Sequence, residues 1–205
     1  DELYLTIKGK GGHAALPNAY INPVTLISKL ITMLESYLES LSDSTSPFVF
    51  AFGKLEAEGA TNVIPEFARA AGTLRTMNEQ WRSTIHKKLK DFVTEFLTSN
   101  NAEGQLEIIK GYPCLNNDEI LTENCVESAK EYLGSENVEL LDIRMTAEDF
   151  SFYSQKIPAC FFRLGVRNED IGVVYGVHHP KFDIDKNAIK FGAGLMAYIT
   201  MNVFD

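Results

Sequence analysis

The chain has 205 residues, 45% of them hydrophobic and 23% charged, an ordinary globular composition with room for one large domain or two small ones. A net charge of −9 argues against a nucleic-acid partner, and no run approaches the ~20 apolar residues a membrane span needs, so neither partner is expected. Cys114, Cys125 and Cys160 are widely spaced without a CxxC pair, which reads as reduced, structural thiols of a cytoplasmic protein.

Glu2–Lys8 alternates apolar and polar residues, the pattern of a half-buried strand. The chain runs into this strand without a signal peptide, and an expression or processing cut before Asp1 is expected. Lys8–Asn18 (KGKGGHAALPN) follows, where glycines and a proline bracket His13. Such a stretch is either a plain glycine-rich turn or a loop mouth that brings an imidazole to a ligand. Pro23 opens a helix over Val24–Leu41 with leucine and isoleucine at helical spacing. Strands are predicted over Pro47–Glu58 and Glu66–Met77, joined by the turn Gly59–Pro65. Asn78 caps a second helix to Asn100, with Trp81, Ile85, Leu89, Phe92, Val93, Phe96 and Leu97 on its apolar side, and Gln105–Tyr112 is a fourth strand. Strand, helix, strand, strand, helix, strand is the order of a ferredoxin-like split β-α-β sandwich, whose edge strands can pair with a second copy.

A boundary falls at Gly111–Asn117, which divides the chain into residues 1–112 and 113–205. Beyond it come a helix over Asp118–Leu133, a short strand at Asn137–Leu141, a helical Met145–Gln155 and a closing helix over Ile184–Phe204. Ala159–Val166 (ACFFRLGV) is almost continuously apolar, as in a strand buried on both faces. So few strands make a poor sheet by themselves, so this half is expected to be the end of an α/β domain whose beginning lies elsewhere.

Several residues could carry chemistry. His178 and His179, in GVHHPKFDID at Gly176–Asp185, form either a polar surface loop or a metal site in which one of the two is the ligand. Glu148 and Asp149 serve as base or ligand, or else cap a helix start, and capping is the favoured reading. Arg75 suits bidentate contact with a carboxylate or is a solvated strand-edge arginine, and Asn62 is a turn former or a ligand contact. No GxSxG, Walker loop or dinucleotide fingerprint is present.

Taken together, KGKGGHAALPN, ATNVIPEFARAAGTLRT at Ala60–Thr76, GYPCLNND, TAEDF, FFRLG and VHHPKFDID resemble, in order and spacing, one family. It is the two-metal (zinc) aminoacylase and carboxypeptidase superfamily, in its branch of hippurate hydrolases, indole-acetyl-amino-acid hydrolases and N-acetyl-diaminopimelate deacetylases. The resemblance implies an α+β dimerisation or lid domain over residues 1–112 and the C-terminal portion of an α/β catalytic domain over 113–205. It implies that His13 reaches a partner subunit's active site to polarise the scissile carbonyl, that Asn62 and Arg75 hold the substrate, and that His178 is a metal ligand. His179 then replaces the family's usual small polar residue, and Thr146 stands where a glycine is usual in TAEDF. The implied cofactor is a pair of divalent ions, zinc first, with manganese, cobalt or nickel as alternatives. The implied substrate is an N-acyl amino acid or small peptide, and the implied partner a second copy. Nothing in the chain matches the family's other metal ligands or its glutamate base, so these 205 residues are expected to be an inactive portion of an amidohydrolase. Two other readings are a non-catalytic dimeric binding module and a mononuclear zinc site built on His178, His179 and a nearby acid.

Overall fold

The structure, a computed structural model, describes residues 1–42 and 47–203. They divide into two compact units: Asp1–Cys114 with Met145–Asp149, and Leu115–Arg144 with Phe150 onward.

In unit 1, β1 (Glu2–Lys8), β3 (Phe48–Glu56), β5 (Phe67–Thr76) and β6 (Glu103–Ile109) form an antiparallel sheet in the order β3-β5-β1-β6. That is the ferredoxin-like order expected from the sequence. The alternation along β1 puts Leu3, Leu5 and Ile7 into the core, where they meet Leu74 of β5 and Leu106 of β6. Helices α1 (Pro23–Leu41) and α2 (Glu79–Ser99) close that core with Ile27, Leu30, Leu34 and Leu38 from one and Ile85, Leu89 and Val93 from the other. Each of these side chains is essentially fully buried, worth about 1.5–3 kcal/mol apiece in apolar transfer. Both helices start where the sequence marks them. The Asn22 side chain accepts from Val24 N and Thr25 N ahead of Pro23, and that of Asn78 accepts from Trp81 N.

A second, two-stranded sheet joins β2 (Gly12–His13) to β4 (Val63–Ile64), antiparallel, with His13 opposite Val63. The predicted turn Gly59–Pro65 is thus partly strand. Two paired residues carry no periodicity, and only the tertiary pairing reveals the ladder.

In unit 2, α3 (Glu119–Leu133), capped by the Asp118 side chain, packs on α5 (Asn187–Val203) through Cys125, Ala129, Leu195 and Ile199. A side chain at Gly194 would collide with the Tyr132 hydroxyl, so glycine there leaves room for the Tyr132 ring against α5. The cysteines are free, and burial pushes the Cys125 thiol up to about 11 beside Cys160.

Four expectations for this half are corrected. Asn137–Leu141 is not a strand: its first residue ends a single 3-10 turn, Ser135–Asn137, and residues 138–141 have no regular structure. Helix forms only at α4 (Ser151–Ser154), not across Met145–Gln155. Ala159–Val166 runs without a strand ladder. Its peptide groups are met instead by single contacts: Asn117 Oδ1 accepts from Phe161 N at 2.8 Å, and Asn117 Nδ2 donates to Phe161 O at 2.9 Å. An apolar run becomes a buried strand only beside neighbouring strands, and the described part of this unit supplies none. The closing helix begins at Asn187, not Ile184, and its predicted end at Phe204 lies outside the described residues.

Candidate active site

The glycine loop is pinned at both ends. Gly9 N donates to Glu66 O at 2.8 Å, and Lys10 and Ile21 exchange backbone bonds at 2.9 and 3.0 Å. A side chain at Gly9 would strike the Ile21 carbonyl, so the loop can close on the start of α1 only with glycine there. β2 then carries His13 outward beside the Ala60–Val63 turn, and Ala14 N donates to Asn62 O at 3.0 Å. His13 and Asn62 are both exposed and lie side by side on this small sheet.

The His13 ring has a defined polarity. Its Nδ1 accepts from Ala15 N at 3.1 Å, so the neutral imidazole carries its proton on Nε2. A loop that offers an oriented N–H donor to solvent is suited to polarising a carbonyl oxygen.

Arg75 lies at the other end of β5. It stands opposite Val49 of β3, and its guanidinium donates to Met145 O at 2.9 Å. From Phe67, next to the glycine loop, to Arg75 is about 26 Å of strand at ~3.3 Å per residue. His13 and Asn62 are therefore brought together within one chain, and Arg75 is not brought to them.

At TAEDF the N-cap position of α4 falls to Phe150, whose side chain makes no capping bond. Phe150 instead stacks its ring at 5.6 Å from Tyr153 and 5.5 Å from Phe161.

In the loop at Gly176–Asp185 the two histidines differ. His178 has φ 73°, a left-handed backbone unusual for a side-chain-bearing residue and a form of strain found at functional sites. His179 stacks on Tyr175 at 4.3 Å, and its Nδ1 accepts from Lys181 N at 3.0 Å. Among the described residues, no three His, Cys, Asp or Glu are grouped to hold a metal ion.

One cluster escaped the sequence reading. Arg82, on the core side of α2 and 4% exposed, donates to both carboxylate oxygens of Asp1, to Glu79, and to the Gly111 and Tyr112 carbonyls. Glu79 also accepts from Cys114 N at 2.9 Å, and His86 Nε2 lies 2.5 Å from Asp1 Oδ2. Burial, then the charges of Arg82 and Lys110, pull the His86 pKa down to about 4. The available signal was an arginine between Trp81 and Ile85 on an otherwise apolar helix face.

Residues 2–100 match the family of peptidase dimerisation domains. The chain is 31% identical over 195 residues to the IAA-amino acid hydrolase ILR1-like 4 of Arabidopsis thaliana, covering 93% of this chain and 44% of that protein. To the N-acetyldiaminopimelate deacetylase of a Geobacillus strain it is 32% identical over 200 residues, covering 97% and 52%. A crystal structure from methicillin-resistant Staphylococcus aureus, 26% identical, matches with a TM-score of 0.84 over 97% of this chain and 51% of that one. The Bacillus subtilis YXEP protein, a dinuclear metal binding peptidase from the M20 family, is 23% identical and shares the fold with a TM-score of 0.74 over 98% and 49%. The chain spans about half the length of the curated relatives it matches. Among the described residues no helix is long and apolar enough to cross a membrane.

Proposed function

The chain belongs to the M20 family of peptidases and amidohydrolases, and on that footing we propose that it is part of a metal-dependent enzyme hydrolysing the amide bond of N-acyl amino acids or similar small substrates. We assign residues 1–112 to a dimerisation or lid domain that pairs two chains, and 113–205 to the C-terminal portion of the catalytic domain. His178 is the proposed ligand for one of two divalent ions, zinc in the first instance, with manganese, cobalt or nickel as alternatives. Bound ions would supply Lewis-acid activation of the attacking water and the scissile carbonyl. Because the described residues group no three donors, the remaining ligands and the general base come, in this reading, from outside these 205 residues, and the chain by itself is inactive.

The residues present have separate tasks. His13 donates Nε2–H to the carbonyl oxygen as negative charge develops there, its Nδ1 being held already by Ala15 N. Arg75 offers a guanidinium to the substrate carboxylate, and Asn62 fixes the substrate beside His13.

The observation that carries this reading is the length of β5. About 26 Å of strand separates the His13–Asn62 end from Arg75, more than a small N-acyl amino acid spans. An active site using all three must draw them from two chains. The test is subunit mixing in the full-length enzyme. His13→Ala and His178→Ala homodimers should each be inactive. Equal mixing should restore about a quarter of wild-type sites, since half the dimers are mixed and each holds one intact site. Proven heterodimers without activity would refute the two-chain site.

A further inference from the structure

We infer that His179 is not a second metal ligand but a hydrogen-bond donor that takes a carboxylate oxygen of a small molecule seated beside His178. This rests on the reading of His178 as the ligand.

The argument begins with ring chemistry. An imidazole binds a cation through a nitrogen lone pair, and neutral imidazole has only one. In His179 that lone pair, on Nδ1, is engaged by Lys181 N at 3.0 Å, which leaves the proton on Nε2. For Nε2 to ligate an ion, the Lys181 contact would have to break and the proton move to Nδ1. Two further features hold the ring as it is. It lies nearly parallel to Tyr175, with 4.3 Å between centroids and 11° between planes. The His179 backbone is tied on both sides, its N to Gly176 O at 3.1 Å and its O to Phe182 N at 2.9 Å.

The charge around the ring selects the ligand. Lys181 Nζ stands 5.7 Å from the centroid of the same Tyr175 ring, so an ammonium and an outward N–H are both organised about one aromatic platform. The acids that follow are turned to other donors. Asp183 accepts from Ile184 N at 2.8 Å, and Asp185 accepts from Asn168 Nδ2 at 2.7 Å and from Asn187 N at 2.9 Å. A neutral N–H donor beside a cation fits an oxyanion, and hydrolysis of an amide of a carboxylic acid produces one. His178 has a left-handed backbone, and among the described residues no peptide group of the loop is bonded to its Nδ1, so it is the imidazole left for the ion.

The test is a long-range proton–nitrogen NMR spectrum of the 15N-labelled full-length enzyme at pH 7.5, with peaks assigned from His178→Ala and His179→Phe variants. His179 should show the Nε2–H tautomer. Sodium acetate should shift its ring signals saturably, and Lys181→Met should weaken that response about two- to fivefold, the size of an exposed ion pair. Zinc chloride should perturb His178 and leave the His179 tautomer unchanged. An Nδ1–H tautomer at His179, a zinc shift at its Nε2, or no response to acetate would each overturn the inference. Acetate shifting His179 while zinc moves neither ring would uphold the donor and count against His178 as ligand.

Discussion

The two units bury their apolar residues to different extents. Among the described residues, unit 1 gathers sixteen buried side chains into one cluster under a four-stranded sheet, whereas the helix pair of unit 2 centres on four. Unit 2 leaves Leu140, Ile143, Phe152, Ile157 and Phe162 well exposed, along stretches without strand or long helix. The difference follows from where partners lie in the sequence. Every strand of unit 1 finds a neighbour within about 110 residues, while the apolar run of unit 2 meets single contacts, from Asn117, Asp118 N and Asp185 N, and no strand among the described residues.

The sharpest way to break the comparison is at the polar centre of unit 1. Arg82 has its guanidinium in contact with Asp1, Glu79 and two carbonyls while nearly excluded from water. Arg82→Met should cost about 3–5 kcal/mol in urea unfolding, because it takes away the cation that pairs with the fully buried Asp1 carboxylate and leaves it only the Gly111 N–H and the His86 ring. Arg82→Lys should recover only part of it, since a single ammonium cannot supply the fork of donors that meets Asp1, Glu79 and the carbonyls together. An Arg82→Met chain as stable as wild type would mean that unit 1 owes its stability to the apolar cluster alone.

Next in size is truncation within the apolar clusters. Leu30→Ala, beneath the sheet, should cost about 2–5 kcal/mol, because the close-packed cluster relaxes little around the void. Leu195→Ala, between α3 and α5, should cost less than about 2 kcal/mol, since a four-residue cluster can collapse around the loss. Equal costs in denaturant titrations would erase the distinction between the units.

These differences also explain what could be read from the sequence. Pro23 and Asn78 announced helix starts because each acts on the next few residues, and the Asn78 side chain makes its bond to Trp81 N; the caps of Asn22 and Asp118 came to light only in the structure. Glu2–Lys8 was legible because both neighbours of β1 lie within the chain. ACFFRLGV has the composition of a central strand, yet pairing is a property of neighbours and not of the run itself. Of the candidate site, His13 and Asn62 were visible as motif residues, but their adjacency depends on the two-residue ladder of β2 and β4. The different settings of His178 and His179 depend on a backbone angle and a bond to Lys181 that no spacing encodes.

The smallest expected effect concerns the same polar centre and pH. With its folded pKa near 4 against an ordinary value of 6.5, His86 stays neutral in the native protein while the unfolded chain takes up a proton. The contribution of His86 should therefore be constant above about pH 7, and stability should fall as pH drops from 6.5 towards 4. Glu79 acts in the same direction at lower pH. Burial raises its pKa, but the Cys114 N–H and Arg82 outweigh that and hold it below the usual range, so protonating it also costs stability. His86→Gln keeps a polar side chain without a titrating proton and should flatten the midpoint of thermal unfolding between pH 6.5 and 4.5, while Leu195→Ala should leave that slope unchanged. A slope unaltered by His86→Gln would assign the acid sensitivity to the carboxylates and not to the imidazole. The distinction matters because in a neutral ring Nε2–H can donate to Asp1 without adding charge beside Arg82, the arrangement that lets one buried guanidinium hold the start of β1, the first turn of α2 and the segment after β6 together.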